Sequence, residues 1–292
     1  MKLSLVRHLW GVDISEGYIQ HIAGWRKTGY TALETASHLV PDTTELRRVL
    51  KGDGFGWIPQ VFSNEFVGGG GVKQHLDSMR RQMEPCLDAE PMFFNAHSGS
   101  DAWELNEAEE FYLRCAELEA ELGIAISHET HRSRYFGSPW NTMRLLERVA
   151  EVKLTCDFSH WVCVAERLLE DAALIFERVA RNCHHVHARV GYEEGPQVSD
   201  PRAPEWRNHL LAHERWWNLI WKTQAEMGVG ESTLTPEFGP FPYLNAMPFT
   251  HEPVADLAAI CDWMAERQAA RFGAWMRGET FEIQEAAGNM SR

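Results

Sequence analysis

The chain has few basic residues for its size. Its 292 residues include 28 Lys and Arg against 42 Asp and Glu, which gives a formal net charge of −14. Binding to the phosphate backbone of a nucleic acid requires clustered basic side chains, so this composition argues against a nucleic-acid partner. The six cysteines form no Cys-x-x-Cys pair, which predicts reduced, buried thiols rather than a zinc or redox motif.

Long apolar runs are also missing. No stretch approaches the roughly 18 apolar residues of a membrane span, and Arg7 and His8 interrupt the short apolar segment at the N-terminus. We therefore expect no membrane partner, no signal peptide and a cytoplasmic location. No Gly-x-Gly-x-x-Gly follows the first predicted strand, and Gly-x-Ser-x-Gly is absent. These absences disfavour a dinucleotide-binding domain and a serine hydrolase.

Short β-type segments alternate with longer amphipathic segments along the chain. Strands are predicted at Leu3–Val6, Thr31–Glu34, Gly56–Phe62, Met92–Ala96, Ile124–His128, Lys153–Asp157, His184–Arg189 and Thr233–Glu237. Helices are predicted to begin near Asp42 or Thr43 and to span Glu107–Leu122, Asn141–Glu151, Val164–Ala180, Glu205–Met227 and Pro253–Phe272.

This alternation predicts an α/β fold with parallel strands and right-handed crossovers. An open doubly wound sheet and a closed barrel both satisfy that pattern. The count of eight strands and the missing dinucleotide motif favour the barrel. We therefore predict a single (β/α)8 TIM barrel over residues 1–277, followed by a C-terminal tail over residues 278–292.

Polar residues mark the ends of the last four predicted strands: Glu129, Asp157, His187 and Glu237. One acidic residue at a strand end is often only the N-cap of the next helix. Four in succession have a different meaning, because the C-terminal ends of barrel strands converge on one place. Three carboxylates there would repel one another without a cation. Oxygen and nitrogen donors together predict one divalent metal ion, with Mn²⁺ favoured and Mg²⁺, Co²⁺, Zn²⁺ or Fe²⁺ as alternatives.

These motifs resemble the xylose isomerase-like TIM-barrel superfamily, which includes sugar phosphate isomerases/epimerases, ketose 3-epimerases and inosose enzymes. The segment from Asp157 to His160 is similar to the Asp-x-x-His of that family, and the segment from His185 to His187 is similar to its His-x-His. The resemblance implies a metal held by Glu129, Asp157, His187 and Glu237.

The implied activity is isomerisation or epimerisation of a sugar or polyol. In it, Glu129 and Glu237 would transfer a proton through a metal-stabilised enediolate, and His160 would contact the substrate. After the seventh strand the chain departs from the ketose 3-epimerases, whose Gly-Glu pair and downstream Arg are replaced by the segment Ala188 to Glu194. The resemblance therefore leaves the substrate open.

Several other side chains are expected to line a pocket for a small carbohydrate. With His160, the predicted substrate contacts are Arg189, His97, Trp103, His131, Glu34 and Trp10. Structural interpretations compete with these. Glu34 is equally well explained as an N-cap, and His97 and Trp103 as loop and packing residues. Either Trp57 or Gln60 should face the barrel mouth.

Other activities are compatible with the same motifs. A lyase or hydratase that cleaves the C–O or C–C bond of a 3-keto-glycoside would begin with the same proton removal beside a carbonyl. An apurinic-site nuclease of the endonuclease IV type is disfavoured, because those relatives bind three zinc ions and this chain is acidic. A barrel that binds without turnover is disfavoured by the intact ligand set. The resemblance also implies a homo-oligomer.

Overall fold

Eight parallel strands form a closed barrel. The computed structural model describes residues 1–14, 17, 19–40, 42–64 and 70–279. The strands are β1 (Lys2–His8), β2 (Tyr30–Ala36), β3 (Gly56–Phe62), β4 (Phe94–His97), β5 (Ile126–Glu129), β6 (Lys153–Cys156), β7 (Cys183–His187) and β8 (Glu231–Thr235). Each strand pairs with the next, and Leu5 of β1 pairs with Leu234 of β8. The predicted (β/α)8 barrel is confirmed, and the open-sheet alternative is wrong.

Helices surround this barrel. Within the described residues they are α1 (Ile19–Thr28), α2 (Thr43–Asp53), α3 (Val72–Met83), α4 (Leu105–Leu122), α5 (Pro139–Leu146), α6 (Phe158–Ala165), α7 (Ala173–Ala180), α8 (Arg207–Glu226) and α9 (Leu257–Met276). Asp42 is the N-cap of α2, since its side chain accepts hydrogen bonds from the backbone N–H groups of Thr44 and Glu45 at 2.8 and 3.1 Å.

The single helix predicted at Val164–Ala180 is wrong, because α6 and α7 are separate. The first of them begins directly after β6, where the Asp157 side chain accepts a hydrogen bond from the Ser159 backbone N–H at 3.0 Å. It ends where Glu166 adopts a left-handed conformation with φ of 50°. The predicted metal ligand Asp157 therefore also caps a helix, and His160 lies in the first turn of that helix.

The barrel interior changes from apolar to polar along its axis. An apolar cluster inside the barrel consists of Val6, Ala32, Ile58 and Phe93. A second group of inward side chains is polar, although each is less than 5% exposed: Glu34, Gln60, Asn95, His185 and Thr235. Apolar branched residues normally fill this space in TIM barrels. A polar layer beneath the C-terminal end of the strands therefore marks that end as the functional one.

None of the described helices has the length and apolar character needed to cross a bilayer. The last described helix, α9, ends at Met276. Residues 280–292 of the predicted tail lie outside the described part of the chain, so the boundary between a barrel domain and a tail stays a prediction.

Candidate metal centre and cavity

Four side chains from consecutive strand ends meet above the barrel. Glu129 ends β5, Asp157 follows β6, His187 ends β7, and Glu237 lies two residues beyond β8. One ligand atom from each lies within 4.8 Å of the other three, and all four residues are buried. The structure thus brings together the four residues that the sequence singles out. Two further groups of possible ligands share members with this set: Glu34, His185 and His187; and His97, Glu129 and His131.

Three of the four residues carry a buried atom without a hydrogen-bond partner. These atoms are His187 Nδ1, Glu129 Oε1 and Glu237 Oε2. His187 Nδ1 lies 2.9 Å from Glu237 Oε2 and 3.6 Å from Glu129 Oε2. Buried polar atoms are normally satisfied, and a divalent cation would satisfy these. The residues present therefore fit a metal ion.

Asp157 fits the same site less completely, because both of its carboxylate oxygens already have partners. Ser159 Oγ donates a hydrogen bond to Oδ1 at 2.5 Å, and the Arg189 guanidinium donates to Oδ2. A second Arg189 nitrogen, Nη1, lies 3.4 Å from Glu237 Oε2. A metal that bound all four residues would have to share Asp157 with Arg189 or displace the guanidinium.

The electrostatics of the site follow from its buried carboxylates. Burial alone would lower the pKa of His187, but Glu237, Glu34 and Glu129 raise it well above the usual value. Burial alone would raise the pKa of Glu237, but His187 and Arg189 lower it to about 2. Asp157 moves in the opposite direction: burial raises its pKa to about 6, with Arg189 opposing the rise. Such a concentration of negative charge favours binding of a cation.

Glu34 lies beneath the four ligands, inside the barrel. Thr235 Oγ1 and Asn95 Nδ2 donate hydrogen bonds to its carboxylate at 2.6 and 3.0 Å, and His187 Nε2 lies 3.0 Å from Glu34 Oε1. The prediction of Glu34 as a substrate contact assumes that it ends its strand. The strand continues to Ala36, and Glu34 is fully buried and does not line the cavity.

A cavity of about 410 Å³ opens beside the four ligands, and Glu237 forms part of its wall. Of the predicted substrate contacts, Trp10, His97, His131 and Arg189 line it. His97 Nε2 lies 2.8 Å from Glu129 Oε2, which links the cavity to that carboxylate. Burial lowers the pKa of His131 to about 3, so its imidazole is neutral near pH 7.

Two other predicted contacts do not line this cavity. Trp103 Nε1 donates a hydrogen bond to the Gly70 carbonyl at 3.1 Å, and its ring centroid lies 4.5 Å from that of His75. Its position six residues after β4 places it among packing residues of α3 and α4. His160 is fully buried behind Arg189, whose Nη2 donates a hydrogen bond to His160 Nε2 at 2.6 Å.

The sequence analysis assigns no role to His8, Asn95 and Tyr243. It leaves open whether Trp57 or Gln60 faces the barrel mouth, and Gln60 is the one that lines the cavity. His8 Nε2 lies 3.3 Å from Glu237 Oε1, and Gln60 donates to the same oxygen at 3.3 Å. Asn95 donates to Glu34 and to Glu129 at 3.0 and 2.9 Å. A signal was available for Asn95, because it lies two residues before His97 on one strand and must share its face. Tyr243, which lines the cavity, follows the eighth strand without regular structure and gave no such signal.

No protein-family model matches the chain, and no curated protein matches it in sequence. Solved structures match it in fold. A D-psicose 3-epimerase crystallised in the presence of D-fructose has 15% identity and a TM-score of 0.58, with 95% of this chain and 100% of that chain covered. The probable 3-DHS dehydratase involved in petrobactin synthesis from Bacillus anthracis has 14% identity and a TM-score of 0.60, with 92% and 99% covered.

A third match is a xylose isomerase-like TIM-barrel protein from Mycobacterium smegmatis, solved in complex with magnesium. It has 13% identity and a TM-score of 0.59, with 90% of this chain and 94% of that chain covered. At these identities the similarity establishes the fold. The predicted resemblance to the xylose isomerase-like TIM barrels is therefore confirmed at the level of the fold.

Proposed function

We propose that this protein is a divalent-metal-dependent isomerase or epimerase of a sugar or polyol. The observation that carries the proposal is the convergence of Glu129, Asp157, His187 and Glu237, with ligand atoms within 4.8 Å of one another. Their mixed oxygen and nitrogen donors suit Mn²⁺, with Mg²⁺, Co²⁺, Zn²⁺ and Fe²⁺ as alternatives. The magnesium bound by the mycobacterial fold relative supports a metal in this kind of barrel. When bound, the ion supplies positive charge that stabilises negative charge developing on a substrate oxygen.

The proton would be moved by two carboxylates. Glu237 lines the cavity, and its Oε2 makes no hydrogen bond, although His187 Nδ1 and Arg189 Nη1 lie 2.9 and 3.4 Å away. This oxygen can accept a proton from a carbon beside a carbonyl. Glu129 lies deeper, and His97 stands between it and the cavity at 2.8 Å from Oε2. We assign to Glu129, acting with His97, the return of a proton to the substrate.

The remaining polar side chains of the cavity would hold substrate oxygens. Arg189 donates hydrogen bonds from a position fixed by Asp157. His131 Nδ1 lies 2.5 Å from the Arg132 carbonyl and donates to it, which leaves Nε2 to accept from a substrate hydroxyl. Trp10 and Tyr243, whose ring centroids lie 4.9 Å apart, would provide an aromatic wall for an apolar part of the substrate.

A second candidate is elimination from a 3-keto-glycoside, by a lyase or hydratase. It begins with the same proton removal, and the dehydratase among the fold relatives supports eliminations in this architecture. The two activities differ in what becomes of the proton and the substituent. An isomerase returns a proton and conserves mass, whereas a lyase releases the substituent.

One experiment tests the metal site and separates the reactions. The purified protein is stripped with a chelator, titrated with Mn²⁺ and incubated in D₂O with ketoses, inososes and 3-keto-glycosides. We expect one Mn²⁺ per chain and a product of conserved carbon skeleton that carries solvent deuterium. Release of an aglycone would favour the lyase instead.

The matched variants are Glu237→Gln and Glu117→Gln, the latter on α4 with its side chain 72% exposed. Glu237→Gln should lower turnover by about 10²- to 10⁴-fold, as expected for loss of a general base, and the control should not. A wild-type protein that binds no Mn²⁺ at millimolar concentration would contradict the proposed function.

A further inference from the structure

The cavity differs in character between its buried floor and its mouth. The floor is polar, with His8, Gln60, Arg189 and Glu237 each 5% exposed or less. The mouth includes Leu39, a large aliphatic side chain that remains 50% exposed, together with the exposed polar residues His38 and Ser133. The other apolar side chains that line the cavity are Trp10, Ala36, Phe62 and Tyr243. If a sugar binds at the polar floor, these apolar side chains would face its substituents.

The two arginines that line the cavity, Arg134 and Arg189, each make hydrogen bonds within the protein. Arg189 is paired with Asp157 and Glu237. Arg134 is buried, and its Nη1 donates hydrogen bonds to the carbonyls of Ser63 and Gly99 at 2.8 and 3.3 Å. No lysine is found among the cavity-lining residues that the structure describes. Phosphate groups bind best to several free cationic donors. Because Arg189 is already paired with carboxylates and no lysine is present, the lining favours an uncharged group over a phosphate.

The aromatic side chains of the cavity pack against their neighbours, and Arg132 and Arg189 lie over the Tyr243 ring, 5.2 and 5.1 Å from its centroid. Trp10 and Tyr243 meet edge to face, with ring centroids 4.9 Å apart and an interplanar angle of 75°. Phe62 packs against a polar residue of the cavity, with its ring centroid 4.6 Å from that of His97. Pockets of 300–1,000 Å³ lined by aromatic side chains bind drug-sized ligands, and this cavity of about 410 Å³ falls in that range.

We propose that the mouth, formed by Trp10, Ala36, Leu39, Phe62 and Tyr243, is a subsite for an uncharged aromatic substituent of the substrate. The substrate is then a keto derivative of an aryl glycoside, which keeps the carbonyl that the proposed proton removal needs, rather than a free or phosphorylated sugar. This inference rests on the proposed function, because it places the sugar ring over the carboxylates at the floor. Transfer of the aromatic group from water to these apolar side chains increases the affinity of the substrate.

Binding of matched pairs of unreactive glycosides tests the subsite. The probes are the methyl and phenyl β-glycosides of glucose, galactose and xylose, together with glucose and glucose 6-phosphate, and dissociation constants are measured by calorimetry on the Mn²⁺-loaded protein. The phenyl glycoside of at least one pair should bind about tenfold or more tightly than its methyl partner, from the added apolar area buried. Glucose 6-phosphate should bind no more tightly than glucose.

Two variants locate the effect. Leu39→Asp places a charge at the mouth and should remove most of the phenyl preference while methyl glycoside binding is retained. Leu174→Asp, at a residue 76% exposed on α7, is the matched control and should keep the preference. Equal affinity of both glycosides, no binding of any pair, or a preference for glucose 6-phosphate would overturn the subsite.

The two proposals fail in different ways. The methyl and phenyl glycosides have no free carbonyl and do not turn over, so the ratio of their affinities is independent of catalysis. Failure to bind Mn²⁺ would overturn the proposed function. A protein that binds Mn²⁺ but shows no phenyl preference would overturn only the aromatic subsite.

Discussion

His187 is the residue whose orientation decides whether a metal can bind. Its Nε2 lies 3.0 Å from Glu34 Oε1, and its unpartnered Nδ1 lies 2.9 Å from Glu237 Oε2. Metal-binding histidines usually donate their second ring N–H to a carboxylate or carbonyl, which fixes the tautomer and the ring orientation. Glu34 therefore serves as a positioning residue for His187, two residues below the end of β2.

Glu34→Gln should weaken Mn²⁺ binding about 10- to 100-fold, because loss of such a second partner typically has that effect on metal affinity. The affinity is measured by calorimetry on chelator-stripped protein. Glu117→Gln is the control, with the same chemical change at an exposed site on α4. The urea midpoint of the metal-free variant shows whether the fold is intact. A folded Glu34→Gln protein with wild-type affinity would rule out the positioning role.

Among the secondary-structure elements, the strands are predicted from the sequence better than the helices that surround them. Glu129, Asp157, His187 and Glu237 could be found because each lies within two residues of a strand end, and strand ends of a barrel converge. The break between α6 and α7 was not predictable, because the apolar spacing over 164–180 continues through it. The sequence places Glu34 at the end of its strand, whereas β2 continues for two more residues to Ala36, which leaves Glu34 below the strand end.

The loop after β7 and the start of α6 are packed backbone against backbone. A Cβ atom on Gly191 would lie 2.5 Å from the Ser159 carbonyl oxygen and 2.7 Å from its Cα. Ser159 cannot move away to relieve this clash, because its backbone N–H and its hydroxyl both donate hydrogen bonds to Asp157. This contact connects the cap of α6 to the segment that carries Arg189.

Gly191→Ala should therefore lower the free energy of unfolding by about 1–3 kcal/mol, the range for overpacking of a filled site. Gly24→Ala is the matched substitution, because a Cβ at Gly24 on α1 meets nothing within 4 Å. That variant should gain up to about 1 kcal/mol from helix propensity. Urea unfolding of both measures the difference. A Gly191→Ala protein as stable as the wild type would show that this contact can relax.

For the whole molecule, buried neutral histidines make stability depend on pH. His213 on α8 accepts a hydrogen bond from the Gly191 backbone N–H at Nε2, at 3.3 Å, and its Nδ1 donates to the His209 carbonyl at 2.8 Å. A proton on Nε2 would face the Gly191 N–H donor. Burial, the largest influence, lowers the pKa of His213 to about 3 in the folded state.

The sign of the effect follows from the difference between folded and unfolded states. Below a pH of about 6.5 the unfolded chain binds a proton at His213 that the folded chain excludes, so stability is lost as the pH falls. Between pH 6.5 and pH 5 this one group should remove about 2 kcal/mol, at about 1.4 kcal/mol per pH unit. The loss continues toward pH 3, where the folded state also takes up the proton.

His213→Gln keeps an acceptor for the Gly191 N–H and a donor for the His209 carbonyl, but it does not titrate. Its stability should fall less steeply than that of the wild type between pH 7 and pH 5, by about 2 kcal/mol at the lower pH. Urea unfolding at successive pH values measures both slopes, with chelator present so that proton-linked metal loss does not contribute. His38→Gln, which removes an exposed histidine, is the control. If the free energy of unfolding falls equally steeply with pH in wild type and His213→Gln, then His213 gains a proton in the folded state as readily as in the unfolded chain. The acid sensitivity would then have to arise from other groups in the barrel.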